Sequence, residues 1–226
     1  MFHVVKWVAV GANRVQPTLK TLHGHKQISQ IYNNMEITNK SAEESSNIIT
    51  SWIDRLKKVH ERNEREWRVY FLRNKMWVED IESIGYFMDN SHESVIYKGY
   101  SEKEVFKIRQ CGINRLYIDS SSFIDTLLSA LWHNRLFPST YYTLVGFTSW
   151  GNGVRAVLKQ DYIKGEKPTI EQITNFLEQH GFKNLEINNG VSATKDSYFV
   201  SDIHQRNAIF ANGTLYVIDC NIIENN

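Results

Sequence analysis

Apolar positions along the chain change their period several times, and each change marks an element. Val4 to Val10 and Ile28 to Tyr32 are short apolar runs separated by Gly11, Pro17 and the His23-Gly24-His25 cluster, and no chemistry attaches to them. Ser41 with Glu44 three positions later makes the side-chain pair of a capping box. Ile48, Ile49, Trp52, Ile53, Leu56 and Val59 then recur at helical spacing. An amphipathic helix is predicted there, and its outer face, Arg55, Lys57, Lys58, Glu61, Arg62, Glu64 and Arg65, mixes both signs of charge as a solvated surface does. A second helical stretch runs through Trp67, Tyr70, Phe71 and Trp77. This aromatic stripe reads as core, because no basic groove accompanies it as a base-stacking platform would require.

From Ile84 the period becomes that of strands: Ser94 to Tyr97 and Glu104 to Ile108 around the turn Lys98 to Ser101, then a third strand at Asn114 to Ile118. Ser120, Ser121 and Ser122 offer an N-cap for a helix that carries Phe123, Leu127, Leu128, Leu131 and Trp132 as far as Asn134. Tyr141 to Thr148 and Val154 to Gln160 are two more strands, joined by the turn Trp150-Gly151-Asn152-Gly153. The order strand, strand, strand, helix, strand, strand predicts an α+β architecture, a five-stranded antiparallel sheet with one helix packed on it. After the loose stretch Lys164 to Lys167 comes a helix capped by Thr169 and Gln172, apolar at Ile170, Ile173, Phe176 and Leu177, and ended by Gly181. The chain therefore divides into an N-terminal extension over 1–80, mainly helical after 41, a sheet-containing lobe over 81–163 and a smaller lobe over 164–226.

Composition removes some functions from consideration. With 226 residues, of which 42% are hydrophobic, there is room for a core, which argues against a disordered or fibrous chain. Twenty-six Lys and Arg against twenty-five Asp and Glu leave a net charge of +1, so neither a nucleic-acid nor a membrane-surface partner is expected. Cys111 and Cys220, far apart in sequence, suit a reducing compartment. No signal-like start and no membrane-length apolar run occur, and a cytoplasmic location is expected. His3, His23 and His25 lack the converging spacing of a metal site and read as surface residues.

The functional signal lies in the segment from Tyr198 to Asp219. Asn212-Gly213 between apolar residues predicts a two-residue type I′ hairpin turn. Counting outward from it pairs Ala211 with Thr214 and Asn207 with Ile218, and leaves Asp219 one residue past the partner of Asn207. Both can reach one ion only if the strand ends twist or bulge, because a strict ladder alternates their faces. On that condition Asn207 and Asp219 are two oxygen ligands for a hard divalent cation such as Mg²⁺. Asp202, entering the same end of the hairpin, is a candidate general base. The plainer alternative keeps Asp202 as a turn cap, Asn207 as a strand-edge residue and Asp219 as a surface charge.

Asp202, Asn207 and a hairpin ending in Asp219 resemble the catalytic loop and metal-binding aspartate of the protein-kinase-like superfamily, including small-molecule phosphotransferases that carry His where His204 stands. Leu131-Trp-His133-Asn134-Arg-Leu136-Phe137-Pro138, Tyr142, Val145-Gly146-Phe147, Leu158, Gln160-Asp-Tyr162-Ile163 and Gly181-Phe182 resemble more narrowly the polyvalent protein kinase domains of mobile-element and phage polyproteins, over about residues 67 to 226. The resemblance implies a two-lobed, protein-kinase-like fold and an ATP- and Mg²⁺-dependent phosphotransferase acting on a protein or small-molecule hydroxyl. It implies that Lys107 meets the phosphates, that Asp125 on the following helix pairs with that lysine, and that Gln160 and Tyr162 lie at a hinge facing the base. Asp202 would orient the attacking hydroxyl or accept its proton, and Asn207 and Asp219 would hold the metal.

The pattern also departs from ordinary protein kinases. The stretch Gly85 to Ser94, expected as the phosphate-covering loop, has a single glycine; Val200-Ser201 stands where His-Arg is usual, and Cys220-Asn221 follows Asp219 in place of Phe-Gly. Only Cys220 to Asn226 come after Asp219, so the usual activation segment and peptide platform are not expected. A nucleotide-binding or protein-interaction domain without catalysis is the competing reading.

Overall fold

The computed structural model describes residues 41–90, 94–111, 119–151 and 153–225. The histidines at 3, 23 and 25 and the expected strand at 114–118 lie outside these. Helix α1 (Ala42–Leu56) starts where Ser41 accepts the Glu44 N–H at 3.1 Å. Helix α2 (Glu64–Arg73) has a full capping box from Asn63 and Glu66. It ends before Trp77, which the sequence placed on it: Lys75 turns to φ 58°, and Met76 and Val78 pair instead with Phe147, N–H and carbonyl at 2.7 and 2.8 Å.

Five antiparallel strands follow, β1 (Gly85–Asn90), β2 (Ser94–Gly99), β3 (Glu104–Gln110), β4 (Thr143–Ser149) and β5 (Val154–Asp161), in the spatial order β1-β2-β3-β5-β4. The stretch from Gly85, expected as a loop, is thus mostly strand β1, paired with β2. Its one glycine serves the pairing, since a Cβ on Gly85 would stand 2.3 Å from the Lys98 carbonyl oxygen. Helix α3 (Ser120–Leu136) is capped by Asp119, which accepts the Ser121 N–H at 3.1 Å, and the serines form its first turn rather than its cap.

Beyond β5 come α4 (Ile170–Gln179), β6 (Lys183–Ile187), β7 (Val191–Lys195), β8 (Tyr198–Ile203), β9 (Ala208–Ala211), β10 (Thr214–Val217) and β11 (Asn221–Glu224). β9 and β10 form the expected hairpin, Ala211 opposite Thr214, with Asn212 at φ 51° and Gly213 at φ 78° as a type I′ turn requires. The four-stranded sheet β11-β8-β7-β6 was not anticipated. Among the described residues no helix is long and apolar enough to cross a membrane.

Two cores result. In the first, Trp52, Trp67, Phe71, Phe123 and Phe147 pack in ring contact, with Phe71 and Phe147 stacked at 3.8 Å. In the second, Ile173 and Leu177 of α4 pack on Val191, Ala193, Val200, Ile203, Leu215 and Val217. Helix α3 runs through both, giving Phe123, Leu127 and Ala130 to the first, while Leu136 at its end and Phe137 just beyond join the second. The aromatic stripe is core, and α1 and α2 are built into it. Trp67→Ala is therefore expected to cost about 3–5 kcal/mol, read as a lower urea midpoint with unchanged slope. A change within about 0.5 kcal/mol would show α2 to be an appendage.

Candidate functional site

β3 carries Lys107 with its side chain 5% exposed, facing the segment that follows β10. Its Nζ donates to Ile218 O at 2.7 Å, to Tyr142 Oη at 2.8 Å and to Asp219 Oδ2 at 3.2 Å. Arg109, on the same face of β3, bonds Asp219 Oδ1, and the Cys220 N–H adds a third donor at 3.0 Å. Burial disfavours the Asp219 anion, but Lys107 and Arg109 outweigh it and hold the carboxyl well below the usual carboxylate range. Burial in turn lowers the Lys107 pKa, an effect that Asp219 opposes.

Two strand pairings deliver Asp219 to this place. Asn207, beyond the β9–β10 hairpin, accepts from both Ile218 N at 2.8 Å and Asp219 N at 3.2 Å through its one carbonyl. That shared acceptor departs from a strict ladder at the end of the hairpin. On the other side β11 pairs with β8, Asn221 opposite Ser201, and one further step of that register sets Cys220 level with Asp202. Asp202 is at φ 62°, the left-handed region in which Asp and Asn are favoured over other side chains. It lies within strand β8, not on a loop.

Asn207 Nδ2 donates to Asp202 O at 2.9 Å and to Asp202 Oδ2 at 3.0 Å. His204 Nε2 stands 3.4 Å from Asp202 Oδ1, while its Nδ1 accepts the Arg206 N–H, which puts the ring proton of the neutral form on the Asp202 side. The Asp202 side chain is 51% exposed, so its carboxylate is held from behind and open in front.

The remaining sequence-predicted residues are placed differently. Asp125 is exposed on α3, on the face opposite Phe123 and Leu127, and the ion-pair partners of Asp219 are Lys107 and Arg109. Gln160 is buried with its amide on Thr140 O. Tyr162 gives its N–H to Lys103 O at 2.8 Å, and its ring lies 4.2 Å from Lys98 Nζ. Arg109, Tyr142 and a set of buried polar groups were missed. Asn134 and Tyr142 exchange side-chain and backbone bonds at 2.8 and 2.6 Å, and Thr140 Oγ1 reaches Val217 O. His133 Nε2 meets Thr140 O at 3.1 Å, and its Nδ1 lies 3.8 Å from Cys220 Sγ. The available signal was His133-Asn134 inside an apolar helix and Tyr142 at the head of an apolar strand.

The donor set fits a hard cation only in part. Among the described residues no three His, Cys, Asp or Glu side chains gather as a metal cage. Mg²⁺, however, usually takes one or two protein oxygens and completes its shell from phosphates and water. Asn207 spends its amide nitrogen on Asp202, so the oxygen Oδ1 is the atom it could offer a cation, and Asp219 could offer a carboxylate.

Burial holds the His133 pKa down to about 3, with Lys107 and Arg109 acting the same way and Asp219 opposing. The ring thus stays neutral in the folded chain where the unfolded chain, with a His pKa of about 6.5, takes a proton. The unfolded state binds more protons between about pH 3 and 6.5, so this contribution to stability is complete above that window. It declines by up to about 1.4 kcal/mol per unit as pH falls through it. Unfolding free energies measured from pH 7.5 to 5 should fall more steeply for the native chain than for His133→Gln. Equal slopes would show that the ring is not held neutral.

No curated protein shows significant sequence similarity to the chain. A family model described as "Serine/Threonine/Tyrosine Kinase found in polyvalent proteins" matches residues 60–225, from just before α2 to the end of β11. That span contains Lys107, Asp202, Asn207 and Asp219, and the chain belongs to this family of kinase-like phosphotransferases.

Proposed function

We propose that the chain is an ATP- and Mg²⁺-dependent phosphotransferase acting on a hydroxyl of a protein or small molecule, with 81–163 and 164–226 as the two lobes of a protein-kinase-like fold. One observation carries the reading: Lys107 of β3 meets Asp219 where the two cores adjoin, while Asn207 fixes Asp202 at the end of the same hairpin. Phosphoryl transfer needs positioning and positive charge more than covalent chemistry, and these are the groups that supply both.

In this mechanism Lys107, whose three donors are spent on Ile218, Tyr142 and Asp219, acts on the nucleotide phosphates through its charge, and Asn207 and Asp219 would hold the divalent cation. The cation, when bound, neutralises phosphate charge that develops during transfer. Asp202 accepts the proton of the attacking hydroxyl through its exposed carboxylate. His204 steadies that carboxylate, which stays half exposed. Gln160 and Tyr162 mark the end of β5 against which the base rests, Tyr162 through its ring and carbonyl, since its N–H is held by Lys103.

The intact protein should be stabilised against heat by ATP with Mg²⁺ beyond either alone, and Asp219→Ala and Lys107→Ala should lose the Mg²⁺-dependent part. Asp202→Asn keeps a side chain suited to positive φ. It should retain the ATP and Mg²⁺ stabilisation and lose phosphate transfer from labelled ATP by about 10²–10⁴-fold. If ATP and Mg²⁺ have no joint effect on the intact protein, the enzyme reading fails. If they stabilise it but Asp202→Asn transfers phosphate at the native rate, Asp202 is not the base.

A further inference from the structure

Arg109 has no part in the mechanism above, yet it contacts the same aspartate as Lys107. It stands two residues after Lys107 on β3, and the two-residue period of a strand puts both cations on one face. Its Nη2 donates to Asp219 Oδ1, which also accepts the Cys220 N–H at 3.0 Å. A carboxylate oxygen has two lone-pair positions, so Oδ1 is filled by these two donors. Oδ2, which takes Lys107, is the oxygen with a position left. The guanidinium is a fixed group: its side chain is 12% exposed, and Cζ lies 5.6 Å from the centroid of the Tyr142 ring. That ring is itself held, through its hydroxyl on Ile218 O at 2.9 Å and its backbone on Asn134.

Protein kinases ordinarily hold two Mg²⁺ ions between the metal aspartate and the catalytic-loop asparagine. Two divalent ions cannot share the one position remaining on Asp219 Oδ2. A guanidinium is charged at every working pH and sheds its water more readily than Mg²⁺ does. It can therefore present positive charge to a phosphate with little desolvation cost.

We infer that Arg109 stands in for one of the two metal ions, so that this site takes a single divalent cation, on Asp219 Oδ2 and Asn207, with Arg109 as a built-in second positive charge beside the nucleotide phosphates. The inference rests on the nucleotide-binding reading proposed above, and the experiment keeps the two apart. The full chain is equilibrated with a non-hydrolysable ATP analogue and Mn²⁺, both in excess, and the ratio of Mn²⁺ to nucleotide retained with the protein is measured, with the electron paramagnetic resonance spectrum of the bound ion recorded alongside.

The native chain should retain one Mn²⁺ per nucleotide, and the spectrum should lack spin coupling between ions. Arg109→Gln frees Oδ1 and should retain two, with coupling; Arg109→Lys keeps a cation there and should retain one. Arg109→Met serves as a second neutral variant if the glutamine form does not fold. Two ions on the native chain, or one on both folded neutral variants, would overturn the role of Arg109 while leaving the phosphotransferase reading intact. A native chain that retains no nucleotide in the presence of Mn²⁺ would overturn that reading, and the inference with it.

Discussion

An ammonium group withdrawn from water beneath a β-sheet persists only where an anion and lone pairs meet it. Lys107 is met by the Asp219 carboxylate, the Ile218 carbonyl and the Tyr142 hydroxyl. That requirement couples parts of the chain that nothing local would bring together, a central strand of the first sheet and the turn after the last hairpin. Removing either partner of such a pair leaves a charge stranded, at a cost of about 3–5 kcal/mol. The pair is consequently a structural tie. It resists separation of the two cores at the point where a nucleotide's phosphates would have to enter.

The tie would be costly without the polar groups packed behind it. His133, Asn134, Thr140, Tyr142 and Gln160 are buried in a region that sequence alone assigns to hydrophobic packing, and the contacts described above link them with one another, with Val217 and with Cys220. They join the C-terminal half of α3 to the start of β4, the end of β5 and the end of β10. A buried polar network is stable when its members are satisfied, and it then fixes one arrangement among several that apolar packing would tolerate. Here it fixes the distance between β3 and the segment bearing Asp219. The residues that most distinguished this chain as a sequence, His133-Asn134 and Tyr142 among them, are therefore builders of the site rather than parts of its surface.

How much was legible follows from the range of each signal. The Asn212-Gly213 turn and its register were readable because two positive φ angles in succession leave few choices of residue. The register in turn sets Asn207 opposite Ile218, where the Ile218 N–H meets the Asn207 carbonyl at 2.8 Å. The α4 cap at Thr169 was readable for the same local reason, with Gln172 returning the bond at 2.8 Å. What failed was non-local. β1 was missed because its residues Tyr86, Phe87 and Met88 form an exposed edge without a clear alternation of burial. The β6–β8 sheet was missed because short strands separated by polar turns carry little periodicity, and pairing with β11 depends on residues beyond the hairpin. Asp125 was chosen by position along the helix, and helix phase turned it outward, while Arg109 was passed over because an arginine in a strand reads as a surface residue until its neighbours are known.

The return of the chain after Asp219 to pair with β8 has a consequence for control. In β11 the residues Asn221 to Glu224 are laddered onto Ser201 to Tyr198, directly beside the Asp202 strand end. Asp219 is thus clasped between that ladder and the bonds from Asn207, and cannot swing outward unless β11 peels from its sheet. Kinases that are switched by rotating the metal aspartate away from the cleft depend on a hinge at this point, and here the hinge has been woven into a sheet. On the function proposed above, switching by that route would first have to unzip β11 from β8.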